Sequence, residues 1–305
     1  MGMADVTLVG LRVLREVADR GTFTAAAHSL GYTQSAVSRQ VAALEQATGA
    51  RLFDRFPGGV RPTGAGRALL RHAVAALDAL EAADRELRGV QDPASLVKLG
   101  YFPAAGAVLV ADALTALRRE GSRVRVTTRE GSTPALVRAL RSGTLDLALL
   151  TSRPPHRSPD TDAPPLHVEP LLETRLALAV PADSRFADRG TADVADIAAE
   201  PWIAGPGAAG EPLLGVWPGL PGRPRIAHTA RDWLTKLHLV ASGAGITTAT
   251  PALLPVVPPG VRFVEVTGVA EEVRRISLVS LPDRGTAPPA ALVNALRARA
   301  ATLAG

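Results

Sequence analysis

The sequence predicts an α/β protein made of a small helical N-terminal unit, one long helix and a larger unit in which strands and helices alternate. Its 305 residues suffice for two or three compact units, since domains run to about 100–200 residues each. Residues 5–55 show short helical patterns separated by glycine turns, and a helical repeat runs from residue 63 to about residue 89. Beyond Pro93, strands alternate with helices, a pattern typical of a mostly parallel sheet covered on both faces.

The N-terminal unit begins with three short helices. Residues 5–20 carry leucines at helical spacing, and small residues around Ala26 predict a second, close-packing helix. Gly31 supplies the turn after it, because a residue without Cβ bends at little cost. Thr33 is then the N-cap of a third helix, where its hydroxyl can accept a backbone N–H.

The third helix has one apolar and one polar face. Val37, Val41 and Leu44 fall at i, i+4 and i+7 and predict a stripe that faces inward. The opposite face combines uncharged donors with one guanidinium, a set suited to reading base edges. That face is formed by Gln34, Ser35, Ser38 and Arg39. Taken alone, the pattern also fits an ordinary helical hairpin whose polar face meets only water.

The segments that follow favour nucleic-acid binding. Residues 52–55, a Gly58-Gly59 turn and residues 60–63 predict a two-stranded wing with basic residues at its base and tip. Residues 1–72 carry nine arginines against five acidic residues, a difference of +4, and such a surface attracts phosphate. Turn, cap, polar helix and wing in this order predict a winged helix-turn-helix that binds DNA.

The long helix from Thr63 to about Gly89 has seam residues that alternate by four and three. A heptad seam of about three repeats predicts that two such helices pair. An amphipathic helix packed on its own N-terminal unit is the alternative. The seam positions are Gly66, Leu70, Ala73, Leu77, Leu80, Asp84 and Leu87.

Residues 7–70 resemble the LysR-type transcriptional regulators with few departures. The residues that carry this resemblance are Leu11, Leu14, Val17, Gly21, Thr22, Phe23, Thr24, Ala26, Ala27, Leu30, Thr33, Gln34, Val37, Ser38, Arg39, Gln40, Leu44, Glu45, Gly49, Leu52, Phe53, Asp54, Arg55, Arg61, Thr63 and Gly66. The resemblance implies a sequence-specific DNA-binding regulator that acts as a homodimer or homotetramer, with the long helix pairing two subunits.

Nine residues form the predicted contact set for double-stranded DNA. Those on the third helix would meet base edges or adjacent phosphates in the major groove. Those at the start of the second helix and in the wing would hold phosphate, which positions the protein without specifying sequence. A two-fold dimer would bind half-sites about one helical turn apart. In that order the set is Gln34, Ser35, Ser38 and Arg39, then Thr22 and Thr24, then Arg55, Arg61 and Thr63.

The remainder of the chain resembles, more loosely, the effector domain of the same family, two α/β lobes like those of a type 2 periplasmic binding protein. Segments 130–132, 143–148 and 239–246 carry most of this resemblance. Within it we expect one helix over 104–119 and one long apolar strand over 171–180. The predicted divisions are 1–62 for the winged helix-turn-helix, 63–92 for the linker and dimerisation helix, and 93–305 for the effector domain, with lobe I at about 93–163 and 268–305 and lobe II at about 164–267.

A small-molecule effector is expected in the cleft between the lobes, beyond the carboxyl ends of the strands. The candidates to hold it are polar or glycine residues that follow strands, together with one arginine: Ser132, Thr133, Thr151, Ser152, Gly205 and Arg231. Each of them could instead cap a helix, turn the chain or face solvent. The loop Phe102–Gly106 lacks the hydroxyl that the family often has there, which favours a more apolar ligand or none.

Composition narrows the other functions. The chain has no Cys, which excludes disulfides, thiolate metal sites and thiol redox sensing. Neither a secretory signal nor an apolar run of about 20 residues is present, so a cytoplasmic protein without a membrane partner is expected. Gly205, Gly207 and Gly210 match a dinucleotide fingerprint, but the Glu211-Pro212 that follows denies the required helix. No catalytic or metal-binding constellation is found, and no cofactor is expected.

The sequence therefore predicts a transcriptional regulator whose C-terminal domain senses a small molecule. A sensor acting mainly through protein partners, with a vestigial DNA-binding unit, is the alternative. An enzyme built on the two-lobed domain is a further alternative, without a positive feature behind it.

Overall fold

The computed structural model describes residues 6–87, 96–205, 214–282 and 289–304. The predicted fold class is confirmed: a winged helix-turn-helix, a long helix and a two-lobed α/β domain follow one another. The first unit, called the head below, contains α1 (Leu8–Arg20), α2 (Phe23–Leu30), α3 (Gln34–Thr48), β1 (Phe53–Phe56) and β2 (Gly59–Pro62). The predicted boundary at 91–93 lies outside the described residues.

The three head helices share the same start and stop signals. A threonine hydroxyl accepts a first-turn N–H at each N-terminus, as predicted for Thr33, and a glycine in the left-handed region follows each C-terminus. The caps are Thr7, Thr22 and Thr33, and the glycines are Gly21, Gly31 and Gly49. Because these signals are local, the sequence placed the helices to within a few residues.

The long helix α4 (Gly64–Leu87) packs its first turns on its own head. Leu70, Ala73 and Leu77 belong to the same buried cluster as the apolar faces of α1 and α3. Gly66 faces the Leu52 carbonyl so closely that a Cβ would lie 2.0 Å from its oxygen. The predicted pairing seam is therefore wrong at these four positions, since the head already buries them.

The head does not bury the described side chain in the second half of the predicted seam. Leu80 is 42% exposed, and the side chains of Asp84 and Leu87 lie outside the described residues. Two α4 helices could therefore pair through Leu80, which the head leaves uncovered, but not through Leu70, Ala73 or Leu77.

Lobe I is a five-stranded sheet in the order β4-β3-β5-β13-β6, in which β13 runs antiparallel to its neighbours β5 and β6. Helices cover both of its faces. Its elements are β3 (Leu96–Tyr101), α5 (Pro103–Ala105), a π-helical segment (Gly106–Val110), α6 (Ala111–Arg119), β4 (Arg125–Glu130), α7 (Thr133–Arg141), β5 (Leu147–Ser152), β6 (His167–Arg175), β13 (Val273–Ser280) and α11 (Ala290–Ala304). The predicted helix over 104–119 is confirmed, and it contains a π-helical turn at Gly106–Val110.

Lobe II contains a four-stranded sheet in the order β11-β7-β12-β8 and a parallel pair, β9 and β10. Its elements are β7 (Ala177–Pro181), α8 (Arg185–Arg189), β8 (Thr191–Asp193), α9 (Val194–Ala198), β9 (Pro201–Ala204), β10 (Arg225–Thr229), α10 (Trp233–Ala241), β11 (Thr247–Ala249), a 3-10 helix (Pro251–Val256) and β12 (Val261–Thr267).

The prediction of one strand over 171–180 is wrong, because this segment contains parts of two strands, β6 and β7. β6 pairs with β13 in lobe I, whereas β7 pairs with β11 and β12 in lobe II, so the chain changes sheets at Leu176. An unbroken apolar run does not show where a strand leaves one sheet for another, because both segments are partly buried.

The two lobes also share apolar packing. Leu99 and Leu109 of lobe I belong to one buried cluster with Leu237 and Leu253 of lobe II, and Phe102 packs against it. The loop in which the sequence lacks a hydroxyl therefore supplies apolar contact between the lobes.

The packing of α4 generates a paired prediction. Leu77→Ala should cost the head about 2–5 kcal/mol, because it opens a cavity in a buried cluster. Leu80→Ala, one turn away and exposed, should change stability by no more than about 0.5 kcal/mol. Denaturant unfolding of the full chain, followed at the head by hydrogen exchange, measures both. A loss in Leu77→Ala no larger than the loss in Leu80→Ala would contradict the packing of α4 on the head.

Candidate nucleic-acid interface

The predicted reading face of α3 is presented to solvent. Gln34, Ser35 and Arg39 are exposed and Ser38 is half-buried, while Val37, Val41 and Leu44 are buried on the opposite side. The Thr33 hydroxyl accepts from the Ala36 N–H at 3.2 Å and lies 3.1 Å from the Ser35 hydroxyl. The helix therefore begins with a fixed first turn and free polar side chains.

Four of the predicted contact residues line one shallow depression of about 270 Å³. It lies between the start of α2, the start of α3 and the wing, and it is lined by Thr22, Thr24, Gln34 and Arg55 together with Phe23, Phe56, Gly59 and Val60. The Thr22 Oγ1 accepts from the Ala25 N–H at 3.1 Å, which leaves its own hydrogen free to donate to a phosphate oxygen. Three segments that are separate in sequence, at residues 22–24, 34 and 55–60, thus converge on one surface.

The wing is fixed against the start of α2 by backbone contacts. The Val60 N–H donates to the Gly21 carbonyl at 2.8 Å. Gly59 has a φ of +152°, and a Cβ there would lie 2.3 Å from the same carbonyl oxygen. Only glycine allows this approach, so Gly59 determines how close the wing lies to α2.

Aromatic rings orient the two wing arginines. The Arg55 guanidinium lies 5.6 Å from the centre of the Phe23 ring, and the Arg61 guanidinium lies 4.6 Å from that of Phe56. Such stacking restrains a long side chain while leaving its N–H groups available. Sequence reasoning missed the two phenylalanines, because their pairing with arginine depends on the folded wing.

The structure gives Thr63 another role than the predicted phosphate contact. Its hydroxyl donates to the Arg51 carbonyl at 2.6 Å and accepts from the Gly66 N–H at 3.0 Å. Both of its principal hydrogen bonds are thus used to start α4. Glu45, also missed as a positioning residue, accepts from the Leu52 N–H at 2.8 Å and so ties α3 to the wing.

The effector candidates separate into different places. Thr151 and Ser152, the last two residues of β5, line a cleft of about 620 Å³ between the lobes. Its other lining residues include Arg153 and Arg274 on the side of lobe I, and Leu214, Trp217 and Thr248 on the side of lobe II. Sequence reasoning missed both arginines.

The other predicted effector residues do not line this cleft. Gly205 is buried beside the Lys236 amine, and Arg231 and Ser132 are exposed. Thr133 lines a separate cavity, between the head and lobe I. The Gly205 fingerprint continues into residues 207 and 210, which lie outside the described residues.

Lys236, in the second turn of α10, is a buried cation that sequence reasoning missed. It is 8% exposed, and its amine donates to the Leu214 carbonyl at 3.0 Å. Burial lowers the pKa of Lys236 from its usual value, and the nearby Asp232 carboxylate offsets part of this effect. Lys98 and Lys236 are the two lysines of a strongly arginine-rich chain, a signal that could have drawn attention to this position.

The described part of the chain shows neither a metal site nor a membrane-spanning helix. No group of three or more His, Asp or Glu side chains is arranged to hold a metal ion there. None of its helices is both long and apolar enough to cross a membrane.

An exposed polar helix, a wing that converges on its N-terminus and a two-lobed domain with a cleft together define a DNA-binding regulator with a ligand-binding domain. The family described as bacterial regulatory helix-turn-helix protein, lysR family, matches residues 8–67, and the LysR substrate binding domain matches residues 91–301. The chain belongs to the LysR family of transcriptional regulators, and the resemblance seen in the sequence is confirmed.

Two relatives and one solved structure illustrate the similarity. The chain is 30% identical over 260 residues to the small neutral protease regulatory protein of Streptomyces coelicolor, covering 80% of this chain and 78% of that protein. It is 37% identical over 145 residues to a probable hydrogen peroxide-inducible genes activator of Mycobacterium xenopi, covering 47% of this chain and 77% of that one. Full-length CbnR complexed with its target DNA has the same fold, with a TM-score of 0.53, 23% identity, and coverage of 96% and 99%.

The buried lysine generates a pH-dependent prediction. Because the folded-state pKa of Lys236 lies below its usual 10.5, the unfolded chain binds more protons between the two values, and folding is favoured as pH rises through that window. Lys236→Met removes this dependence. The variant should be at least as stable as the wild type at neutral pH, and the wild type should gain on it towards pH 10. Denaturant unfolding of both proteins across this range gives the difference, and a difference that stays constant with pH would contradict a desolvated amine.

Proposed function

We propose that this regulator reads duplex DNA through the N-terminal half of α3 and anchors it through the depression formed with α2 and the wing. The observation that carries the proposal is the convergence of Thr22, Thr24, Gln34 and Arg55 on one exposed surface. Gln34 and Arg39 have the donors that pair with adenine and guanine in the major groove, and Ser35 and Ser38 lie beside them.

The residues around the reading helix are proposed to hold phosphate. The α2 N-terminus presents Thr22 and Thr24, and backbone N–H groups at such a position favour an anion. Arg55 and Arg61 supply charge from the wing. Thr63 is assigned to the fold instead, because its hydroxyl already makes two bonds.

The protein is proposed to act as a homodimer or homotetramer on a partly palindromic operator. A two-fold arrangement of heads would bind half-sites about one helical turn apart. The pairing surface on α4 would exclude Leu70, Ala73 and Leu77, since the head buries them.

A small molecule in the cleft lined by Thr151 and Ser152 is proposed as the signal. It would alter the spacing of the heads only to the extent that it binds one arrangement of the lobes more tightly than another. The relatedness to peroxide-inducible activators does not bring thiol chemistry with it, because the sequence contains no Cys. We propose a non-covalent effector, no catalytic activity and a cytoplasmic location.

The first experiment is footprinting on the DNA upstream of the protein's own gene and its neighbour, across a salt series. Protection of a dyad with half-sites about one turn apart, weakening with added salt, is the expected result. Absence of protection at low salt would refute DNA reading and favour a sensor that acts through protein partners. A metabolite pool that shifts the footprint or the melting temperature would support the effector proposal, and the absence of any such pool would contradict it.

Two arginine variants separate reading from anchoring. Arg39→Ala should lower affinity for the operator about 5- to 150-fold and relax sequence preference, because a bidentate base contact is worth about 1–3 kcal/mol. Arg55→Ala should weaken binding to all sequences and reduce the salt slope by about one.

Arg119→Ala is the matched control, since it removes the same charge from an exposed position on α6 of lobe I. Fluorescence anisotropy on operator and scrambled duplexes at several salt concentrations measures all three variants. Equal losses in Arg39→Ala and Arg119→Ala would show that net charge alone matters and would contradict the assignment of Arg39.

A further inference from the structure

The head and lobe I enclose a cavity of about 540 Å³ that is separate from the cleft between the lobes. Its walls come from β2 of the head, from the first turns of α4, from α7 of lobe I and from the loop 158–164. This volume lies within the range of about 300–1,000 Å³ that is usual for small-molecule sites.

Contacts of α1 with β4 and with α7 hold the two sides of the cavity together. The Arg129 guanidinium donates to the buried Asp19 carboxylate at 2.7 Å, and the Arg138 Nε donates to the Asp19 carbonyl at 3.0 Å. Asp19 is 2% exposed, so the head and lobe I meet closely beside the cavity.

The cavity is strongly cationic. Five arginines and two aspartates line it, which leaves three positive charges in excess. The arginines are Arg61, Arg67, Arg71, Arg138 and Arg141, and the aspartates are Asp160 and Asp162.

The two acids are already engaged on one side of the cavity. Arg141 makes a bidentate pair with Asp160, at 2.8 Å for each bond, and also donates to the Asp162 and Pro164 carbonyls. Arg67 donates to the Pro62 carbonyl and lies 3.7 Å from the Asp162 carboxylate.

The remaining three arginines have N–H groups that make no hydrogen bond to the described residues. Among the described residues, neither Arg61 nor Arg71 has an acidic partner; Arg61 stacks on Phe56, and Arg71 is exposed. The terminal nitrogens of Arg138 make no hydrogen bond to the described residues beyond the one from its Nε. Burial lowers the pKa of Arg138, Asp19 partly offsets this, and the neighbouring charges of Arg129 and Arg61 lower it further.

We propose that this cavity is a binding site for a small phosphate-bearing anion, held by Arg61, Arg71 and Arg138. The three guanidinium groups come from three different elements, β2, α4 and α7. A tetrahedral phosphate presents oxygens to several directions, whereas a planar carboxylate presents only two. Thr133, at the start of α7, lines the same cavity and adds a hydroxyl donor.

The occupied site would join the head to lobe I. Arg61 belongs to the head, Arg71 to the part of α4 that packs on it, and Arg138 to lobe I, so one anion would connect the head and lobe I. Arg61 is also a proposed contact to the DNA backbone. An anion bound in the cavity would therefore compete with DNA for the same guanidinium.

Isothermal titration of the full chain with inorganic pyrophosphate, at low ionic strength and without DNA, tests the site. We expect saturable binding with one site per chain. Arg71→Gln and Arg138→Gln should each weaken it at least about tenfold, because each removes a charged hydrogen-bond donor. Arg119→Gln, on the far side of lobe I in α6, is the matched control and should bind as the wild type does.

Several results would overturn the proposal. The first is the absence of saturable heat, and the second is equally weakened pyrophosphate binding in all three variants. The third is lowered DNA affinity in Arg138→Gln when the wild type does not bind pyrophosphate. The last would mean that the cavity receives the DNA backbone. Because Arg138 also contacts the Asp19 carbonyl, thermal melting is measured for each variant. If Arg138→Gln unfolds, Arg71→Gln decides alone, since Arg71 makes no bond within the described residues.

Discussion

Both the proposed DNA surface and the contact with lobe I depend on Gly21. This residue ends α1 in the left-handed region and precedes the Thr22 cap of α2, and its carbonyl accepts the Val60 N–H of the wing. Its other side faces Arg138 of lobe I, whose Nε would lie 3.3 Å from a Cβ placed on Gly21. A side chain there would be strained by the backbone and would press on Arg138. Two residues without Cβ therefore set these distances: Gly59 between the wing and α2, and Gly21 between α1 and α7.

This arrangement gives the cleft between the lobes a packed route to the head. Thr151 and Ser152 end β5, and Ala148 and Leu150, on the same face of that strand as Ser152, pack in one cluster with Leu136 of α7. α7 in turn contacts α1 through Arg138. Coupling along such a route requires that an effector favour one packing of these elements over another, because closeness alone transmits no free energy.

The sequence predicted those features that depend on neighbouring residues. Threonine caps, glycine stops and the two faces of α3 all lie within one or two helical turns, so the head and its exposed residues Gln34, Ser35 and Arg39 could be read directly. Features that depend on distant segments could not. Three such features depend on residues that come together only in the fold. They are the two hydrogen bonds of Thr63, the position of Thr133 in the cavity beside the head and not in the interlobe cleft, and the change of sheets at Leu176. The same holds for α4, where one apolar pattern fits either a partner helix or the chain's own head.

Arg61 belongs to both of the proposed anion-binding surfaces, so that binding of the two anions would be linked. If a small anion in the cavity lowers the affinity for DNA by some factor, DNA must lower the affinity for the anion by the same factor, because linkage is reciprocal. The size of that factor depends on how far Arg61 can serve both. Its stacking on Phe56 restrains the guanidinium near one position, 4.6 Å from the ring centre. A restrained group shared by two anions favours competition, whereas a mobile one would allow both to bind. The proposed competition therefore depends on Phe56 of the wing, through the position at which its ring holds the Arg61 guanidinium.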